Sequence, residues 1–198
     1  MLLVIATENR HKGEELASIL KQEIPIEVQT LADFPSVQLP PETGSTYREN
    51  AIQKAVSAAR ATGQWALGDD SGLEVDALDG APGLYSARFA GEGVTYADNR
   101  RKLLEALGDL PDERRGAQFV CTIAVAGPDG TVAVVEGRCE GRITRGASGE
   151  GGFGYDPIFF LPAYNKTFAE LSPEEKNRIS HRGRAVRAAI PLLKKAAS

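Results

Sequence analysis

Cysteine, histidine, methionine and tryptophan are scarce in this chain of 198 residues, which has two, two, one and one of them. Cys121 and Cys139 are too few for a disulfide framework and have no nearby histidine for a zinc site, so both read as buried thiols. Long apolar runs are missing as well, and no stretch approaches the ~20 residues that cross a bilayer. The opening Met1-Leu2-Leu3-Val4-Ile5-Ala6 lacks a basic n-region and meets Glu8 too early for a secretory signal. The expectation is a cytoplasmic protein without a membrane segment, in which the sequon Asn165-Lys166-Thr167 is idle. No repeat, low-complexity tract or interdomain linker interrupts the chain. Residues 1–198 therefore read as one domain, built as a unit or as two lobes around one sheet, and long enough to bury most of its apolar surface. Excess positive charge is also absent. A formal net charge of -4 excludes a surface that is a nucleic-acid footprint throughout, so an anionic partner must meet a local basic site. Lys176, Arg178, Arg182, Arg184, Arg187, Lys194 and Lys195 cluster near the C-terminus with no acid among them. Most of these read as a solvated helix face, with Lys176 and Arg182 set apart below.

What is present is ordinary in bulk, 42% hydrophobic and 25% charged, and informative in pattern. Leu2 to Ala6 reads as a buried strand, and Leu16, Ile19 and Leu20 place a helix after the loop Thr7 to Lys12. A second strand is expected from Ile26 to Thr30, then an irregular stretch with Pro35, Pro40 and Pro41 before Glu42-Thr43-Gly44. Thr46-Tyr47-Arg48-Glu49 has the capping-box pattern, and Ala51, Ile52, Ala55, Val56 and Ala59 give the next helix an apolar face that ends at Gly63. There follow a strand from Trp65 to about Asp69, a turn at Gly80-Ala81-Pro82-Gly83, and a helix from Thr95 to Leu107. A hairpin pairs Phe119–Ala126 with Thr131–Glu136. Ser172-Pro173-Glu174-Glu175 opens another helix, and a last one begins near Gly183. Strand–helix alternation followed by hairpins predicts an α/β fold of mixed α+β character, with a central mixed sheet and flanking helices.

Chemistry concentrates at four places. Ser148-Gly149-Glu150-Gly151-Gly152-Phe153-Gly154-Tyr155-Asp156-Pro157 sets four glycines around an aromatic ring and an acid. Glycine at this density marks positive φ or a ligand close to the main chain, and the loop reads as a seat for a planar group on Phe153. Gly149, Gly151 and Gly154 fit G-x-G-x-x-G by spacing, but Tyr155-Asp156-Pro157 resists the helix start a dinucleotide fold requires. Thr7, Asn9 and Lys12 lie where a strand gives way to a helix, a setting that favours an anion; the same residues also suit an ordinary helix N-terminus, and no Walker loop is present. Gly68-Asp69-Asp70-Ser71-Gly72 puts two acids near a strand end. Neighbours in extended chain point to opposite faces, so one aspartate faces a given pocket and the other braces the loop. Such a carboxylate could hold Mg²⁺, with Glu42 as the second ligand by type and setting; the alternative is an Asx turn. His181, beside Lys176, Ser180 and Arg182, suits polar recognition of a ligand edge rather than a nucleophile triad.

Taken in order, five blocks resemble the inosine/xanthosine triphosphate pyrophosphatase family, also called HAM1-like. They are Thr7-Glu8-Asn9-Arg10-His11-Lys12; Gly68-Asp69-Asp70-Ser71-Gly72-Leu73; Gly80-Ala81-Pro82-Gly83-Leu84-Tyr85-Ser86-Ala87-Arg88; Phe153-Gly154-Tyr155-Asp156-Pro157; and Glu175-Lys176-Asn177 with Ser180-His181-Arg182. The resemblance implies two lobes forming a nucleotide cleft, and a homodimer. It implies a house-cleaning enzyme that hydrolyses ITP, dITP and XTP to monophosphate and pyrophosphate with Mg²⁺. It also implies phosphate contacts from Thr7, Asn9 and Lys12, metal ligation by Glu42 and Asp70, and Asp70 as general base. Ser71 matches a substrate contact, Phe153, Gly154, Tyr155 and Asp156 the loop around base and sugar, Lys176 a phosphate or base contact, and His181 with Arg182 the purine-reading pair. Glu8 departs from the glycine common in relatives, and an acid beside a triphosphate has to point away or weaken the grip.

These roles are physically coherent. Cations offset phosphate charge, and Asp70 can orient or deprotonate a water for in-line attack. A donor aimed at the purine 6-oxygen meets the 6-amino group of adenine, a mismatch that reaches ~10⁴-fold. Two rivals stand beside this reading: a pyrophosphatase with another base preference, such as a Maf-like enzyme on dTTP or UTP, and a non-catalytic nucleotide or RNA binding protein.

Overall fold

The computed structural model describes residues 1–196; the last two positions of the expected 1–198 domain lie outside the described residues. Among the described residues five α-helices and seven strands follow one another, with short 3-10 turns between them: β1 (Leu2–Ala6), α1 (Arg10–Glu23), β2 (Glu27–Thr30), α2 (Tyr47–Thr62), β3 (Trp65–Val75), α3 (Tyr96–Leu107), β4 (Gly116–Ala126), β5 (Val132–Ile143), β6 (Phe159–Leu161), β7 (Lys166–Thr167), α4 (Pro173–Ile179) and α5 (His181–Ala196). The strands form one sheet in the order β2-β1-β3-β4-β5-β6-β7. β1 runs parallel to β2 and to β3, with Ala6 opposite Gly68, and the crossovers that parallel pairing requires are α1 and α2. β6 is antiparallel to β5 and to β7, so the sheet is mixed as expected.

Contacts divide the chain into two compact units. The first holds Met1–Ser71, Cys121–Gly137 and the segment from His181; the second holds Gly72–Val120 and Arg138–Ser180. Within the first unit the strand period of two sorts side chains to two cores. Leu3, Ile5, Leu67, Cys121 and Ile123 pack with Leu16, Ile19 and Leu20 of α1 and with Ala185, Val186 and Ala189 of α5. Val4, Ala6, Ala66, Ala124 and Ala126 face Ala51, Ala55, Ala58 and Ala59 of α2. Small residues on both sides let α2 lie close to the sheet. A Cβ at Gly68 would collide with the Ala51 carbonyl and the Ala55 amide, so only glycine fits there. The second unit is built on aromatics: Phe119, Phe159 and Phe168 pack together, with centroids 4.7 to 5.7 Å apart, among Leu73, Val75, Leu103 and Leu107.

Several boundaries differ from the sequence reading. β3 continues to Val75, so Asp69 and Asp70 sit within the strand rather than at its end. α1 begins at Arg10, which puts Lys12 in the first helical turn instead of a loop. Lys176 lies inside α4, and α5 opens at His181, leaving Ser180 alone between the two helices. Thr46 caps α2 through the Glu49 amide, but the Glu49 carboxylate turns to Ser45 N and Oγ at 2.7 and 2.9 Å, so the box closes one residue early. On α2 the buried stripe includes Asn50 and Lys54, while Ile52 and Val56 are only partly covered. Among the described residues no helix is long and apolar enough to cross a membrane.

Candidate active site

Asp69 and Asp70 leave β3 toward opposite faces, as the strand period demands, and each collects its own cations. Asp69 follows Leu67 onto the α1–α5 side. It is wholly buried and pairs with Lys12 Nζ at 3.2 Å. Burial pushes its carboxyl up, but Lys12, Lys54 and Arg182 outweigh that and hold it down at about 2. Arg182, in the first turn of α5, is buried to 2% exposure. It donates Nη1 to Glu15 Oε2 at 2.5 Å and Nη2 to Ser71 Oγ at 3.2 Å. Burial lowers its pKa, and Glu15, Cys121 and Asp69 together more than reverse this. His181 beside it is also buried, at the start of the helix.

Asp70 follows Ala66 and Gly68 onto the α2 side. Asn50 Nδ2 donates to its Oδ2 at 2.9 Å, and the Ser71 amide donates to its Oδ1 at 3.0 Å. Lys54, one helical turn beyond Asn50, donates Nζ to the Asp69 carbonyl at 2.7 Å and pairs with Glu42 Oε1 at 2.5 Å and Asp70 Oδ1 at 3.9 Å. Two carboxylates from separate segments thus converge on one ammonium. Burial raises the Asp70 pKa above its ordinary value, Lys54 and Lys12 opposing, and Glu42 adds to the rise. Glu42 moves the other way: burial pushes it up, but Lys54 outweighs burial and the carboxyl is lowered. A carboxylate poised upward beside one held ionised is the division expected of a base and a ligand.

The Lys54 ammonium tests whether these residues suit a divalent cation. Glu42 and Asp70 already share one positive charge, and both are oxygen donors, the type Mg²⁺ takes when one or two carboxylates and substrate phosphates complete its shell. The donor set fits. At the start of α1, Asn9 caps the helix by accepting from the Lys12 amide at 3.1 Å, and Thr7 Oγ1 accepts from Asn9 N at 3.3 Å. Glu8 is exposed.

In the second unit the glycine-rich loop is held in place from Asp156. Its Oδ2 accepts from the Phe153 amide at 2.8 Å and from Lys176 Nζ at 2.6 Å, and both charged side chains are nearly wholly buried. The Lys176 ammonium also lies over the Phe153 ring, 4.9 Å from its centroid. Gly149, Gly152 and Gly154 adopt φ of +87°, +68° and +64°. The loop leads into a 3-10 turn at Asp156–Ile158 and then β6, not a long helix, in line with the rejected dinucleotide motif. Tyr155 is buried and donates its hydroxyl to the Ser86 carbonyl at 2.8 Å.

The structure gathers Lys12, Ser71 and Arg182 around Asp69, Glu42 with Asp70, and Phe153, Gly154, Tyr155 and Asp156 with Lys176. Sequence reasoning missed Asn50, Lys54 and Glu15, and left Asp69 without a named partner. The available signal was Asn50 and Lys54 at i, i+4 on a helix face otherwise made of alanine, where a polar pair needs a partner.

Residues 3–192 match the sequence model of the Ham1 family. A protein of Desulforamulus reducens named dITP/XTP pyrophosphatase is 52% identical over 193 residues, covering 98% of this chain and 96% of that protein. A solved HAM1 protein from Coxiella burnetii superposes with a TM-score of 0.87 at 43% identity, over 98% of this chain and 99% of the other. The Staphylococcus aureus Ham1 protein gives 0.85 at 43%, over 99% and 100%.

Proposed function

Since the chain belongs to the Ham1 family, we propose that it is a pyrophosphatase of deaminated purine nucleotides. It hydrolyses ITP, dITP and XTP to the monophosphate and pyrophosphate, and so cleanses the nucleotide pool. The observation that carries this reading is the pair Asp70 and Glu42 drawn to one ammonium, with the Asp70 carboxyl poised upward and Lys12 on the neighbouring strand-to-helix junction. Nucleotides are polyanions, and a net acidic protein needs a concentrated cationic spot of this kind to hold one.

In this reading Asp70 accepts the proton of the attacking water. Asn50 and the Ser71 amide hold its two oxygens in position. Lys12 and the positive end of the α1 dipole bind phosphate oxygens, with Thr7, Asn9 and Ser71 lining the approach. Glu42 and Asp70 would hold Mg²⁺, which supplies charge neutralisation on the phosphates and orients them for in-line displacement. Phe153 receives the purine ring, Gly154, Tyr155 and Asp156 shape the seat, and Lys176 supplies a cation beside it. His181 and Arg182 read the base edge, Arg182 from a guanidinium already oriented by Glu15 and Ser71. We further assign residues 1–198 to a single Ham1 domain acting in the cytoplasm as a homodimer.

Incubation with Mg²⁺ and, separately, ITP, XTP, GTP, ATP, dTTP and UTP tests the reading, with monophosphate, pyrophosphate and orthophosphate quantified. Monophosphate and pyrophosphate from ITP and XTP, with GTP and ATP nearly untouched, are expected. Orthophosphate release, a pyrimidine preference or no turnover overturns it.

A further inference from the structure

A stacking platform helps a flat ligand only if it is in place before the ligand arrives, because ordering it on binding costs affinity. Loop 148–154 is tied at its start, where the Ser148 amide donates to the Pro157 carbonyl at 2.8 Å and the Gly151 amide to the Ala169 carbonyl at 3.0 Å, but at its tip the positive-φ Gly152 and Gly154 carry no side chains to hold Phe153 between them. Asp156 anchors one flank through the Phe153 amide. The other flank meets α3. Arg100 donates Nη1 to the Gly154 carbonyl at 2.6 Å. One turn earlier on the same helix face, the Tyr96 ring meets Phe153 edge-on, centroids 6.4 Å apart and planes at 72°. It meets Tyr155 in the same way, at 6.2 Å and 79°. Tyr96 also closes on Gly154, where a methyl group would lie 3.4 Å from its Cε1. The helix is itself fixed, by a Thr95–Asp98 capping box and by Asn99, which accepts from Ala90 N at 2.7 Å and donates to the Ala87 carbonyl at 3.0 Å.

We propose that Tyr96 and Arg100 are positioning residues that hold Phe153 and the Gly154 carbonyl in the arrangement that receives the purine, so that substrate affinity depends on α3. The proposal rests on reading Phe153 as the base platform.

The test compares Arg100→Ala, Arg100→Lys and Tyr96→Ala with the parent enzyme. It measures kcat and KM for ITP, and Ki for inorganic tripolyphosphate, which has the phosphates and no base. Loss of the charged hydrogen bond is expected to raise KM for ITP about tenfold, with kcat little changed and the tripolyphosphate Ki unmoved. Arg100→Lys recovers part of the loss, because an ammonium can still donate to Gly154. Arg101→Ala, on the exposed side of α3, behaves as the parent and controls for the helix. An unchanged KM in Arg100→Ala, or equal rises in KM and Ki, overturns the proposal. If Arg100→Ala does not fold, the ratio of KM to Ki in Arg100→Lys decides in the same way. Phe153→Ala separates the two layers. A KM rise there without one in the α3 variants sinks the positioning role alone, whereas no rise removes the platform and the positioning role together.

Discussion

Asp69→Asn offers the most quantitative test, because it removes one buried charge and preserves the shape. The Asp69 carboxyl stands at about 2 in the folded chain against an ordinary 3.8. A folded value below the unfolded one stabilises fully above pH 3.8, and that contribution is lost as pH falls toward 2. The shift, at 1.36 kcal/mol per unit, corresponds to about 2 kcal/mol, of which about 1 kcal/mol is gone by pH 3. Urea unfolding of parent and variant should show a deficit of about 2 kcal/mol or more at pH 7, since Lys12 also loses its counter-charge. At pH 3 the deficit should be about 1 kcal/mol smaller. A deficit of the same size at both pH values would refute the electrostatic account and leave Asp69 a packing residue.

Asp70→Asn should lower turnover at least ~10²-fold, the range for losing a general base, with the fold intact by circular dichroism. In the parent, kcat/KM should fall as acid protonates Asp70, and because that carboxyl is raised the acid limb should lie above pH 3.8. Lys54→Met removes the cation shared by Glu42 and Asp70, so the same limb should move to higher pH; a pH–rate profile superposing on the parent's would contradict this. Cys121 is buried, and burial pushes its thiol up to about 12. A thiol reagent at pH 8 should therefore leave it unmodified in the native protein and label it readily in denaturant, as judged by mass spectrometry.

Much of the fold was legible where one physical signal dominated. Leu2–Ala6 is a strand because five consecutive apolar residues precede a helix cap, and the Ser172 box opens α4 where the pattern placed it. The end of β3 was misread because Gly68 and Gly72 look like turn punctuation. Gly68 is there for another reason, the close approach of α2, which no local window reveals. The same blindness hid Lys54. A lysine on a helix reads as a solvated charge until tertiary structure brings Glu42, Asp70 and the Asp69 carbonyl to it from outside the helix. The division of labour between Asp69 and Asp70 was legible in outline, since the strand period alone sends them apart. Which one faced which cation was not, because that depends on which helix covers which side.

That alternation makes the register of β3 a matter of electrostatics as well as packing. Leu67 suits the larger core beneath α1 and α5 and Ala66 the close approach of α2, and the next pair along the strand differs as sharply: Asp69 is held charged among lysine and arginine, whereas burial raises the carboxyl of Asp70. A slip of one residue would press Leu67 against α2 and exchange the two acids between the faces. Gly68, wedged against the Ala51 carbonyl and the Ala55 amide opposite Ala6 of β1, is where such a slip would bring a side chain into the helix backbone. The residue with no chemistry of its own thus acts as the index mark that keeps each aspartate at its post.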